Sequence, residues 1–126
     1  MNEFPIQDLD VVTSKSKLAV NMKCSLRSIH NYHEIAVGYV DDFLEDYPTM
    51  HGQFLTSCPL TIYQCWVLYR IYQFLKLIPK AEVLKHSLEN DQKTQHQYSK
   101  THFKAIYPEF KEEELNNDSK AICRLA

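Results

Sequence analysis

The sequence predicts an all-α protein, a small bundle of three to four helices packed around one buried central helix. Three observations carry that prediction. Only two glycines, Gly38 and Gly52, occur in 126 residues, whereas sheets draw on glycine wherever a hairpin or bulge needs positive φ. Apolar residues recur at alternating three- and four-residue steps over long stretches, the spacing of one helix face. One segment, residues 60–78, is apolar or aromatic at fourteen of nineteen positions, the composition of a helix covered on every side.

Taken in order, residues 1–13 read as a loose leader with Pro5 and no helical period. From Ser14 the residues Ala19, Met22, Leu26, Ile29, His33, Ala36, Val40 and Phe43 lie on one stripe, which predicts a single long first helix ended by Pro48. Leu18, Tyr32, Val37, Tyr39 and Leu44 widen the stripe beyond what one short partner helix covers. A homodimer is therefore expected, with Met22, Leu26, Ile29, Tyr32 and Tyr39 at its interface.

Thr56-Ser57-Cys58-Pro59 predicts the next helix start, a capping hydroxyl ahead of an early proline. In residues 60–78 the polar Thr61, Gln64, Arg70, Gln73 and Lys76 gather on no single face. Arg70 stands mid-segment, where an isolated arginine costs about 2.5–3.5 kcal/mol on membrane insertion. The reading is a buried central helix, with no membrane partner. Pro79 ends it, and residues 80–106 follow as one helix or as two meeting near Asn90. The domain spans residues 14–107, and residues 108–126 form an acidic tail.

The charge balance excludes a nucleic-acid groove. Fourteen Lys and Arg face sixteen Asp and Glu, for a net charge of −2, and phosphate backbones call for a dense cationic surface. Asp41, Asp42, Glu45 and Asp46 form one acidic cluster, read here as a helix C-terminus at odds with its dipole. In an up-down-up bundle Lys100 and Lys104, with His102, would sit beside that cluster and answer it.

Catalytic and metal motifs are weak. Cys58, at a predicted helix N-terminus, is the candidate for a lowered thiol pKa and a nucleophilic role, without a cysteine-hydrolase signature around it. The four cysteines read as reduced thiols in a cytoplasmic protein, with no apolar signal segment in MNEFPIQDLD. His30 and His33 share the spacing of a metal pair but lack matched Glu-x-x-His positions. Phosphate loops need converging glycines. No cofactor and no metal are expected. Aromatic residues near charge resemble interface anchors, so Tyr98, Phe103 and Tyr107 join Asp41, Asp42, Glu45 and His102 as the expected partner-binding set.

The last eighteen residues read EFKEEELNNDSKAICRLA. Glu112, Glu113 and Glu114, with Ile122 and Leu125 close to the terminus, resemble the glutamate-rich E-block of proteins translocated by the Dot/Icm type IV secretion system of Legionella. The resemblance covers only this tail, which would then be a secretion signal. It implies an effector delivered into a host cell, of the small helical kind that antagonises another effector enzyme, including enzymes that modify ubiquitin. The expected function is a non-catalytic protein-binding regulator acting on another protein, an enzyme, by occlusion. The alternatives are a small cysteine-dependent enzyme using Cys58 and a secretion chaperone or adaptor.

Overall fold

The computed structural model describes residues 12–108. These residues are mostly helical, as expected, but form seven short helices where three to four are predicted, together with two minimal antiparallel strand pairs. The leader before residue 12 and the acidic tail from residue 109 lie outside the described residues, and with them the predicted signal Glu112, Glu113 and Glu114.

The predicted first helix is three helices. Strand β1 (Val12–Thr13) leads into Ser14, whose side chain accepts from the Lys17 amide at 3.1 Å and caps α1 (Lys15–Met22). Lys23 then adopts the left-handed conformation, φ 57°, and the Lys23 and Cys24 amides return to the Val20 and Ala19 carbonyls. That is a Schellman turn, built without the usual glycine. Ser25 caps α2 (Leu26–Tyr39) by accepting from the Ser28 amide at 3.1 Å. Val40 is extended, and α3 (Asp41–Glu45) follows it. Asp41 and Asp42 thus open a helix instead of closing one. At Asp41 and Asp42 the expected conflict with the dipole does not arise, because carboxylates in a first turn are favourably placed; Glu45 and Asp46 stay at the C-terminal end of α3.

The chain next makes a hairpin, β2 (Thr49–Met50) against β3 (Gln53–Phe54), across the two-residue turn His51-Gly52. Both turn residues have positive φ, 53° and 78°, as a type I′ turn demands. Strand β4 (Leu60–Thr61) pairs with β1, Val12 opposite Thr61 and Thr13 opposite Leu60. The central helix begins later than the Cys58-Pro59 signal suggests. Thr61 caps α4 (Ile62–Leu77) in a reciprocal box with Gln64, the Gln64 amide donating to the Thr61 hydroxyl and the Thr61 amide to Gln64 Oε1.

Beyond α4 the chain turns at Pro79 into α5 (Ala81–Asn90), α6 (Gln92–Gln97) and α7 (Lys100–Ile106). Asp91 caps α6 and Ser99 caps α7 through the Lys93 and His102 amides. Of the two readings open for residues 80–106, the break near Asn90 is the one present, and a second break follows at Tyr98-Ser99.

The core forms around the first half of α4. Residues 62–69 and Ile71 are all buried, against Leu18 of α1, Ile29 and Ala36 of α2, Phe43 of α3, Leu84 and Leu88 of α5 and Phe103 of α7. Trp66 is 2% exposed. The second half of α4 departs from expectation. Leu77 is 84% exposed and Ile78 is 41% exposed, so burial does not extend across residues 60–78. Among the described residues no helix is long and apolar enough to cross a membrane.

Candidate functional site

The acidic segment divides into two structural roles. Asp46 is 1% exposed. Its carboxylate accepts from the Thr61 hydroxyl and forms an ion pair with the Lys100 ammonium. The Lys100 amide, an orphan donor in the first turn of α7, donates to Asp42 Oδ2 at 2.9 Å. Gln64, also buried, donates through Nε2 to the Phe43 carbonyl at 2.9 Å. A buried charge persists only when paired and hydrogen-bonded. Asp46 meets that condition by tying the end of α3 to the cap of α4 and the first residue of α7. The predicted approach of Lys100 to the acidic cluster is therefore present, but as a buried tie and not as an exposed pair.

Asp41 and Glu45 remain exposed. Asp41 lines a cleft of about 450 Å³ between the end of α2, the start of α3 and the α5–α7 segment. Its walls include Asp41, Asp42, Glu89, Gln92, His96 and Tyr98, and among the described residues no lysine or arginine lines it. A second groove of about 510 Å³ runs between α2 and the α4–α5 corner, where Tyr32 and Tyr39 meet Leu75, Pro79 and Ala81.

Several predicted binding residues belong to the core instead. Tyr98 is 4% and Phe103 0% exposed. Phe103 packs against Tyr63 and Trp66, with ring centroids at 5.6 and 5.3 Å. Tyr63 in turn donates its hydroxyl to the Tyr98 carbonyl at 2.7 Å. Tyr98 and Phe103 both follow a polar stretch in sequence, which gives the interior of the fold the appearance of an aromatic surface. His102 and Tyr107 are half-buried. Of the expected dimer residues, Met22 and Ile29 are buried within the chain at 5% and 0% exposure. They have no surface to offer a second copy. Leu26 is 42% exposed, and Tyr32 and Tyr39 are half-buried.

No protein-family model, curated protein or solved structure matches this chain.

Cys58, the candidate nucleophile, is 5% exposed and is disulfide-bonded where the sequence reading has a reduced thiol. Cys24 and Cys65 are free, and burial pushes both thiols up, away from thiolate chemistry. His33 is hydrogen-bonded through Nε2 to the Tyr47 hydroxyl at 2.7 Å, and its ring meets Phe43 edge-on. Burial first, then Lys15 and His30, lower its pKa to about 4. It serves as a neutral core histidine. Burial likewise raises the Tyr47 hydroxyl well above its ordinary value.

Sequence reasoning did not find Glu89, Gln92 and His96 as parts of one cleft with Asp41. They sit fifty residues apart in sequence, and their own stretch reads simply as polar. The loss of an apolar face across ENDQKTQHQ was the one available signal.

Proposed function

We propose that this protein is a non-catalytic regulator that binds another protein, an enzyme, and blocks it by occlusion, using the acidic cleft as its contact. The observation that supports this reading is the unbalanced charge of that cleft. Asp41 and Glu89 are exposed, Asp42 stands beside them, and among the described residues no lysine or arginine lines the walls. Such a concavity suits a lysine or arginine side chain on the partner. Complementary charge of this kind chiefly raises the association rate and suppresses wrong partners. The contact would extend over a surface of the standard size, about 800 Å² per partner. In this reading the E-block-like tail delivers the protein into a host cell, and the target is an enzyme there or a co-delivered effector.

The test separates binding from folding. Asp41→Lys with Glu89→Lys should slow association with the captured partner about tenfold or more at low salt, and leave the melting temperature unchanged. Asp42→Lys should behave differently and melt lower, because it removes the acceptor from the first turn of α7. A partner that binds the Asp41→Lys, Glu89→Lys protein at the unaltered rate, with the same salt dependence, removes the cleft from the interface. Relief of inhibition in the same double variant, measured on the partner enzyme, would complete the case.

A further inference from the structure

Beside the acidic cleft stands a group of opposite character that the binding reading does not use. Arg70, half-buried on α4, holds its guanidinium carbon 5.3 Å from the centroid of the Trp66 ring and 5.2 Å from that of Tyr98. Two aromatic contacts fix the guanidinium in place. Among the described residues no carboxylate or carbonyl accepts from its N–H groups. Next to it, the His102 ring lies 6.2 Å from Trp66 and 5.4 Å from His96. Arg70 and His102 thereby meet at one tryptophan, and His96 adjoins His102.

We propose that Arg70, His96 and His102 form a binding site for an oxyanion, a phosphate or a carboxylate group of a ligand. A planar guanidinium with free N–H edges is the group best matched to such an anion. Its fixation by Trp66 and Tyr98 means that little side-chain freedom is lost on binding. Burial, then His96 and Arg70, depress the His102 pKa and hold its ring neutral; an anion bound beside the ring would offset that shift. Asp41, Asp42 and Glu89 line the neighbouring cleft, which His96 also lines, and none of them is among the groups acting on His102. Tyr98 is the other titratable group at Arg70, and burial keeps its hydroxyl protonated. This site rests on its own geometry and stands whether or not the acidic cleft binds a protein.

The experiment titrates the intact protein with inorganic phosphate and, separately, with acetate, at constant ionic strength set by chloride. The readouts are the side-chain Nε resonance of Arg70 and the ring resonances of His102. Saturable shifts at both residues are expected, with the His102 pKa rising on binding because the anion stabilises the protonated ring. Tighter binding of phosphate assigns a phosphorylated ligand; tighter binding of acetate assigns a carboxylate. Arg70→Met should weaken binding about tenfold or more, the size of a lost charge-assisted hydrogen bond. His102→Gln provides a second variant with a smaller packing change, and should weaken binding while circular dichroism stays native. Shifts that rise linearly with either anion, or equal affinity in both variants and the parent, would overturn the site.

Discussion

Lys100 illustrates how one side chain can serve two ends of the chain. Its ammonium pairs with Asp46, whose side chain is 1% exposed, and is itself only 12% exposed. Lys100→Met would leave the buried carboxylate facing a methyl group. Breaking a buried pair from one side costs about 3–5 kcal/mol, to be read as a shift in the urea midpoint. Replacing Glu45, exposed one residue earlier, by Gln should move that midpoint hardly at all. His33 makes a second residue-scale prediction, on pH. Its folded pKa of about 4 lies below the ordinary value of 6.5, so the unfolded chain binds the extra proton. Its contribution to stability is complete above about pH 6.5 and is lost as pH falls toward 4. The shift corresponds to at most about 3 kcal/mol, less for the part of the ring that reaches solvent. Urea melts of His33→Gln should show a flatter dependence on pH than the parent between pH 6.5 and 4. A slope identical to the parent's would place the acid sensitivity elsewhere.

At the scale of elements, α4 shows what periodicity conveys and what it misses. Its identity as the central helix was legible, because no polar stripe interrupts residues 60–78. Its exposed end was not, since composition does not reveal where neighbouring helices stop. Leu68→Ala should cost about 2–5 kcal/mol as a cavity in a filled core, whereas Leu77→Ala should stay within about 0.5 kcal/mol. Thermal melts of the two distinguish the halves of the helix. Breaks between helices were harder to read. The three- and four-residue rhythm passes undisturbed through Lys23 and Ser25, because both flanking helices turn an apolar side to the same core. Lys23 takes a left-handed conformation that sequence ordinarily assigns to glycine. The caps at Ser25, Asp91 and Ser99 were present as residue types, but serine and aspartate are too common in helices to mark an end unaided. The site was less legible than the fold. Asp41 could be named from sequence, but its cleft partners Glu89 and His96 depend on a chain reversal that no local pattern encodes, and buried Tyr98 and Phe103 look the same in sequence as exposed anchors.

Across the whole molecule, the described residues carry their opposing charges in adjacent places. The acidic cleft and the Arg70 group meet at His96 and Tyr98, so a single partner surface or ligand of mixed charge could span both. The helices responsible come from both ends of the domain: α2, α3, α5 and α6 contribute to the cleft, and α4 supplies Arg70 and Trp66.

The hairpin at His51 and Gly52 divides the described residues into two parts that do not fold as neighbours side by side. Both turn residues are exposed, and exposed tips of this kind accept a break in the backbone. The pieces on either side remain interlocked: β1 lies beside β4, Asp46 reaches Thr61 and Lys100, and Gln64 holds the Phe43 carbonyl. A chain severed between His51 and Gly52 should therefore reassemble from two separately synthesised fragments. Co-expressed halves should purify as one complex with native helicity, and either half alone should be unstructured. In that form the protein would serve as a conditional switch, its two halves silent until brought together.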